Sequence, residues 1–274
     1  MQTGVFFVST PIGNLNDISI RAKQVLEKVD CILCEDTRVS SKLLSHLGIK
    51  ARLEIYNDHN AQTMVSKVIT SIKDDRKTYA LISDAGTPMI SDPGYKLVNA
   101  CIANEVGYTV IPGSCAAIAA LTLSGLPSNR FLLAGFVNRR QFSELAHIDA
   151  TLIFFESPQR LTRSLNDMVE YFNDRVVAVV REITKIHEES IRGSLVSLIS
   201  HFTSEPPRGE FVIVVAPPDN ANGDSRLAEL SPLVDQLIDM VPIKLLSTIL
   251  SKNAKISRSV AYRYLSNYVK DREK

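Results

Sequence analysis

The stretch Val5-Phe-Phe-Val-Ser-Thr-Pro-Ile-Gly-Asn-Leu15 joins a short apolar run to a turn, and it sets the pattern for the first half of the chain. The apolar residues at its start have the length and composition of a buried strand. Pro11 and Gly13 then require a tight turn at the carboxyl end of that strand. The chain has no G-x-G-x-x-G fingerprint after this strand and no G-x-x-x-x-G-K-[ST] loop, so neither a nicotinamide-type site nor a P-loop is supported.

Four more apolar runs follow before residue 125, and amphipathic helical stretches separate them. The strands predicted here are Val5–Ser9, Cys31–Cys34, Arg52–Tyr56, Tyr79–Ile82 and Thr109–Ile111. This alternation is typical of a parallel, doubly wound α/β sheet that is covered on both faces. Ligands of such sheets bind beyond the carboxyl ends of the strands. We therefore predict a first α/β domain over residues 1–125.

A second α/β domain is predicted over residues 126–218, where strands outnumber helices. Its predicted strands are Phe131–Phe136, Thr151–Phe155, Val176–Val180, Glu188–Arg192 and Phe211–Val215. A helix is predicted from Pro158 to Phe172 and a shorter one over Leu195–Phe202. The excess of strands favours a mixed, partly antiparallel sheet.

The polar stretch Pro217–Ser231 has the composition of a linker and precedes a predicted helical module over residues 232–274. Two short helices joined by a turn give this module a helix-turn-helix pattern. Residues 242–274 carry a net charge of +6, whereas the rest of the chain carries −5. Lys255, Arg258 and Arg263 are therefore candidates for RNA phosphate contacts. The alternative is a helix pair that serves packing or dimerisation.

Composition limits the function classes. The 274 residues are 45% hydrophobic and 22% charged, as in a soluble globular protein, and the net charge of +1 gives no overall field for nucleic acid. The four cysteines show no disulfide spacing, and no apolar run approaches the roughly 18 residues that span a bilayer. Because the chain enters a predicted strand almost at its first residue, we expect no signal peptide. We expect a cytoplasmic protein without a membrane span, and we predict no metal site.

Polar loops follow the predicted strands of the first half, where a ligand would bind. Glu35-Asp36-Thr37-Arg38 follows the second strand. These side chains either orient a polar substrate or form an Asp36–Arg38 ion pair at the rim of the sheet. Asn57-Asp58-His59-Asn60 follows the third. Ser83-Asp84-Ala-Gly86-Thr87-Pro88 follows the fourth, and Ser114-Cys115-Ala116 opens a helix after the fifth. Glycine and free amides at these points allow close approach of a ligand to the main chain.

In the second half, Phe155-Glu156-Ser157 and Arg181-Glu182-Ile-Thr-Lys185 end two strands. A buried Glu156 requires a partner, which we expect to be an arginine, or else a function. Glu156 and Glu182 are the leading candidates for a general base, with Asp36 behind them. Lys185 qualifies only if burial lowers its basicity.

Taken together, these strings resemble one family along nearly the whole chain. The shared strings are S-T-P-I-G-N-L at 9–15, E-D-T-R at 35–38, D-H-N at 58–60, S-D-A-G-T-P at 83–88, D-P-G at 92–94, F-F-E-S at 154–157, R-E-I-T-K at 181–185 and G-E at 209–210. They are similar to the 16S ribosomal RNA (cytidine-2′-O-)-methyltransferases of the tetrapyrrole-methylase-like class. The chain departs from that family at Pro112-Gly113-Ser114-Cys115, usually Pro-Gly-Pro-Cys, and in a shortened basic loop after Phe136.

The resemblance implies S-adenosylmethionine as methyl donor, bound in a cleft between the two α/β domains, and a homodimer. It implies methyl transfer to a ribose 2′-hydroxyl of 16S rRNA in the small ribosomal subunit. The implied cofactor-binding residues are Pro11, Gly13, Asp84, Gly86, Thr87, Ser114, Cys115, Ala116, Phe155, Glu156 and Ser157. Arg38 and His59 are expected to hold RNA phosphate or ribose, and Arg139 and Arg140 to retain part of the basic loop's role.

Two alternatives remain at this point. One is a tetrapyrrole methyltransferase on the same fold, which would not need the basic tail or E-D-T-R. The other is a ligand-sensing regulator that binds nucleic acid and catalyses nothing.

Overall fold

The computed structural model describes residues 4–218, 227, 230–254, 256 and 258–272. The first half contains a five-stranded sheet, as predicted. Its strands are β1 (Gly4–Val8), β2 (Cys31–Cys34), β3 (Leu53–Ile55), β4 (Thr78–Leu81) and β5 (Tyr108–Ile111). Their order is β3-β2-β4-β1-β5, and every neighbouring pair is parallel. The carboxyl ends of all five strands therefore meet at one edge.

Four helices contribute to the two cores of this sheet, and a fifth follows its last strand. They are α1 (Ile20–Leu26), α2 (Thr37–Leu47), α3 (Ala61–Asp75), α4 (Tyr95–Ala103) and α5 (Ala116–Ser124). The central strands β2 and β4 are buried along their whole length, as expected where helices shield both faces. Gly48 adopts the left-handed conformation that commonly ends a helix, directly after α2.

The second sheet is mixed, as predicted. Its strands are β6 (Phe131–Phe136), β7 (Thr151–Glu156), β8 (Val176–Arg181), β9 (Glu189–Ser194) and β10 (Phe211–Val215), in the order β6-β7-β10-β8-β9. Strand β10 runs antiparallel to both β7 and β8, and Phe211 lies opposite both Glu156 and Arg181. The ends of β7 and β8 thus meet the start of β10 at one edge of the sheet.

Three helices accompany the second sheet: α6 (Phe142–Leu145), α7 (Pro158–Phe172) and α8 (Leu195–Ser204). The bounds of α7 are those predicted from the spacing of its apolar residues. Leu161, Leu165, Met168 and Phe172 are fully buried on one stripe of this helix. Burial of each such side chain stabilises the fold by roughly 1.5–3 kcal/mol.

The C-terminal module consists of α9 (Ser231–Leu237), α10 (Ile243–Ala254) and α11 (Arg258–Arg272). Helices α10 and α11 confirm the predicted helix pair. Helix α9 was not predicted, because its sequence adjoins a polar segment of linker composition. The module has a core of its own, formed by Leu246, Leu250, Val260, Ala261 and Leu265 among others.

The chain forms two compact units. One comprises Met1–Ala119 with Glu182–Glu189, and the other comprises Ala120–Arg181 with Ser190–Lys274. The short segment Glu182–Glu189 therefore belongs with the first half of the chain. The domains predicted from sequence are continuous segments, and that prediction placed residues 182–189 in the second of them.

Candidate active site

Three loops at the carboxyl edge of the first sheet are tied together by hydroxyl groups. The Thr87 hydroxyl donates to the carbonyl oxygen of Ser114 at 2.9 Å. Its single proton is then in use, so the Ser9 hydroxyl is the donor in the 3.0 Å bond between Ser9 and Thr87. Residues that follow β1, β4 and β5 are thereby held as one group.

A reciprocal pair of backbone bonds strengthens the same junction. The Thr10 amide donates to the Gly86 carbonyl at 2.8 Å, and the Gly86 amide donates to the Thr10 carbonyl at 3.1 Å. Gly86 has a φ of +81°, a left-handed conformation that favours glycine. Backbone geometry thus explains why glycine is found at position 86. Pro11, another residue predicted to bind the cofactor, is buried.

The start of α5 offers unpaired donors. The backbone amides of Ser114, Cys115 and Ala116 have no hydrogen-bond partner within the described part of the chain. Gly113 keeps this loop close to β1, because an added Cβ would lie 2.9 Å from the Cβ of Ser9. Such amides suit carbonyl, carboxylate or ring-nitrogen acceptors of a ligand.

Carboxylates gather at the same edge. Burial, followed by the negative charges of Asp84, Asp58 and Asp36, raises the pKa of Glu35 above its usual value. The pKa of Asp92 is raised to about 6, chiefly by burial, with smaller contributions from Glu35 and Asp84. Asp84 also accepts a hydrogen bond from the backbone amide of Asp36 at 3.1 Å. The edge is therefore electrostatically suited to a cationic ligand.

Asp36 does not have the properties of a general base, in contrast to its place among the sequence candidates. It caps the N-terminus of α2 by accepting from the Arg38 amide at 2.8 Å, and the Arg38 guanidinium binds the same carboxylate at 2.5 Å. The hydrogen bond from the Arg38 side chain, followed by that from its amide, lowers the pKa of Asp36 to about 2. The ion-pair interpretation of this loop is confirmed, and a carboxylate of such low basicity is a poor proton acceptor.

The segment Glu182–Glu189 packs against the first βα turn within the first unit. The Thr184 hydroxyl accepts from the Asn14 amide at 3.0 Å. A Cβ on Gly13 would lie 2.6 Å from Cγ of Lys185 and 2.9 Å from the carbonyl oxygen of Ile183. Gly13 is thus required for this packing, which accounts for the glycine without invoking a cofactor.

The same segment presents two of the candidate catalytic side chains. The Lys185 ammonium donates to the Glu182 carboxylate at 2.8 Å, and both side chains are partly exposed. Glu182 and Thr184 have φ values of 48° and 66°, which are uncommon for residues with a Cβ. Backbone strain of this kind concentrates at functional sites.

Glu156 is held within the second unit by contacts that engage its carboxylate, and its candidacy as a base stays a prediction. Its side chain is 1% exposed. Oε2 accepts from the Ser164 hydroxyl at 2.5 Å, and Oε1 accepts from the Ser157 amide at 2.8 Å. Nε of Arg160 lies 3.4 Å from Oε1, and the same guanidinium donates a hydrogen bond to the Val137 carbonyl oxygen at 2.8 Å. The expected arginine partner is present, and both oxygens are engaged.

The other residues predicted in the second domain lie close to Glu156. Phe155 is partly buried and packs against Phe136, with ring centroids 5.7 Å apart. Ser157 occupies the N-cap position of α7, where its side chain makes no capping bond. Their assignment to the cofactor stays a prediction.

The predicted RNA contacts differ in availability. Arg139 is engaged by α7, where it pairs with Asp167 at 3.2 Å and Glu170 at 2.5 Å and lies over the Tyr171 ring. Arg38 is bound to Asp36, whereas Arg140 and His59 are exposed.

In the C-terminal module, Arg258 and Arg263 are exposed, and Arg258 donates to the Lys244 carbonyl at 3.2 Å. Lys255 lies outside the described residues. The described residues contain no cluster of three metal-ligating side chains. None of the helices described is long and apolar enough to cross a bilayer.

Sequence reasoning did not select Ser9, Asp92 or Gly113. A hydroxyl directly after a strand and a glycine opposite it are weak signals by themselves, because many loops contain them. The Asp92-Pro-Gly string entered only as one of the strings shared with the resembled family, and burial of its carboxylate depends on the whole edge.

The structure is similar in fold to two solved methyltransferases. It matches cobalt precorrin-4 methyltransferase with a TM-score of 0.58 at 18% identity, covering 77% of this chain and 94% of that one. It matches the uroporphyrin-III-C-methyltransferase of Thermus thermophilus with a TM-score of 0.58 at 20% identity, covering 80% and 97%. Identities this low show the fold alone.

Sequence comparison is more specific. The model of the Tetrapyrrole (Corrin/Porphyrin) Methylases matches residues 4–199. A Mesorhizobium japonicum protein named "Ribosomal RNA small subunit methyltransferase I" is 41% identical over 273 residues, or 97% of this chain and 92% of its own. Proteins of that name from Erythrobacter litoralis and Thermotoga maritima are 48% and 40% identical, covering 84% and 77% of this chain and 83% and 97% of their own. The chain therefore belongs to the tetrapyrrole methylase family, within the group of relatives named Ribosomal RNA small subunit methyltransferase I.

Proposed function

We propose that this protein transfers a methyl group from S-adenosylmethionine to the ribose 2′-hydroxyl of a cytidine in 16S ribosomal RNA. The names of the relatives support a small-subunit rRNA substrate. The observation that carries the proposal is the bonded group of loops at the carboxyl edge of the first sheet, with unpaired amides and carboxylates beside one another.

The residues at this edge fit the proposed methyl donor. The donor carries a sulfonium and an ammonium group, and the carboxylates of Glu35, Asp84 and Asp92 provide a complementary field. The amides of Ser114 and Ala116 provide donors for its polar acceptors. When bound, the donor supplies an electrophilic methyl group.

Positioning the ribose hydroxyl in line with that methyl group is the largest contribution we assign to the protein, on the order of 7–11 kcal/mol. The hydroxyl also needs an acceptor for its proton. Since Lys185 donates to Glu182, the Glu182 carboxylate is the better acceptor of the pair, and Lys185 is a positioning residue. General-base assistance is typically worth about 10²–10⁴ in rate.

The test is methylation of small ribosomal subunits isolated from cells that lack this protein, with labelled S-adenosylmethionine. We expect wild-type protein to label the ribose of one cytidine. Glu182→Gln should lower kcat at least tenfold while calorimetry shows unchanged donor affinity. Glu27→Gln, an exposed carboxylate elsewhere in the first unit, is the matched control.

Absence of donor binding or of ribose labelling by the wild-type protein would overturn the proposed function. Unchanged turnover of Glu182→Gln would remove Glu182 as the base and leave the function standing.

The proposal extends to the assembly and its location. A ribosomal substrate is consistent with a cytoplasmic protein, and the basic C-terminal helices are proposed to add RNA affinity. The homodimer implied by the family resemblance is likewise proposed, and light scattering of the purified protein tests it.

A further inference from the structure

An open groove lies on the second unit, at the edge where β7 and β8 end and β10 begins. Its volume is about 530 Å³. The residues that line it include Pro158, Gln159, Thr162, Pro206, Pro207 and Arg208. One wall is thus the first part of α7, and the other is the loop between α8 and β10.

The loop wall is held in place by contacts of its own. The Arg181 guanidinium donates to the Arg208 carbonyl at 2.7 Å. Pro206 and Pro207 restrict the backbone that precedes Arg208. The groove is therefore preorganised by the fold, which reduces the entropic cost of binding a ligand.

Two arginines lie at this groove: Arg208 is one of its lining residues, and Arg163 lies beside the lining residues of α7. The side chains of Arg208 and Arg163 are exposed and have no hydrogen-bond or ion-pair partner in the described part of the chain. Arg163 follows Thr162 and lies one turn beyond Gln159 on the same face of α7. Positive side chains that make no ion pair within the described part of the chain suit an anionic partner.

The second half of α7 shows the opposite arrangement. Asp167 and Glu170 are acidic and are engaged with Arg139, so that part of the helix is neutralised within the protein. Glu205 and Glu210 flank the loop but are not among the residues that line the groove, and Glu210 makes an interaction of its own. Arg208 is the charged residue of the lining, and Arg163 adds a second positive charge beside it.

We propose that this groove binds the phosphodiester backbone of the RNA substrate, with Arg163 and Arg208 on the phosphates and the Gln159 side chain beside them. This inference rests on the proposed function and assigns it a surface that neither the family match nor the basic tail provides.

The experiment compares the double variant Arg163→Gln/Arg208→Gln with wild type and with Arg130→Gln. Arg130 is an exposed arginine just before β6, outside the groove lining, where it pairs with Asp149; its replacement removes one positive charge of the second unit and is compared with each single variant as well. RNA affinity is measured with small ribosomal subunits from cells that lack this protein, over a series of salt concentrations. Donor affinity by calorimetry and the thermal midpoint show whether the variants remain folded.

We expect the double variant to bind the subunits about tenfold or more weakly at moderate salt. The slope of log K against log salt should become shallower by about 0.7–0.9 for each phosphate that the variant no longer neutralises. KM for the subunits should rise while kcat changes little, since neither arginine is among the residues proposed to act on the reacting atoms. The single variants should show about half of the change in slope.

If the wild-type protein methylates the subunits and the folded double variant has unchanged subunit affinity and salt slope, the groove proposal is wrong and the proposed function stands. A loss equal to that of Arg130→Gln would do the same, because it would indicate a general charge effect. If wild type neither binds nor methylates the subunits, the proposed function fails first and the groove proposal fails with it.

Discussion

At the scale of single residues, Glu156 is a carboxylate that the sequence predicts to be catalytic and whose two oxygens are engaged by neighbouring residues in the structure. We expect Glu156→Gln to lower the free energy of unfolding by about 1–3 kcal/mol, because an amide cannot accept from Ser164, Ser157 and Arg160 together. Urea denaturation measures this. The exposed Glu170→Gln should change stability by less than about 1 kcal/mol.

The activity of the same variant separates the two roles. Once the folded fraction is taken into account, kcat of Glu156→Gln should stay within about threefold of wild type. A fall of about 10² or more without loss of stability would restore Glu156 as the base.

The raised pKa of Asp92 predicts that the free energy of unfolding depends on pH. Burial raises its folded-state pKa to about 6, above the ordinary value of 3.8, so the folded state retains a proton that the unfolded chain has released. Its contribution to stability is therefore present at low pH and is lost as pH rises between those two values. Asp92→Asn should gain stability relative to wild type between about pH 4 and about pH 7. Urea denaturation at both values checks this, and an equal difference at the two would contradict it.

At the scale of elements, the contact between the first βα turn and Glu182–Glu189 depends on Gly13. Gly13→Ala should displace Lys185 and the Ile183 carbonyl, lowering stability by about 1–3 kcal/mol and turnover with it. The matched control is Gly193→Ala, where the added Cβ meets the Ser197 hydroxyl, a group that can rotate away. Denaturation and single-turnover assays measure both, and equal effects in the two variants would show that Gly13 has no special role.

At the scale of the whole molecule, the C-terminal helices form a core of their own. Ending the chain after Pro218 should therefore leave donor affinity unchanged. The truncated protein should bind small ribosomal subunits more weakly and with a shallower salt dependence, because it lacks several cations of the full chain. Filter binding tests this, and an unchanged subunit affinity would assign the module to packing or to dimerisation instead.

The sequence by itself determined the ten strands, the parallel and mixed character of the two sheets, and the approximate extent of helix α7. These features are local: apolar runs, helical periodicity and turn residues record them directly in the chain. It also determined which loops carry the polar residues, because those loops follow the strands in order.

Only the tertiary structure decided what those polar residues do. The Glu156 side chain is 1% exposed and its carboxylate is engaged by three donors, and an adjacent guanidinium made Asp36 a helix cap. Glu182–Glu189 belongs to the first unit, where Lys185 packs against Gly13. These two residues are about 170 positions apart in the chain. Hydrogen-bond partners, burial and electrostatic neighbours arise from such long-range contacts, and no local pattern of the chain specifies them.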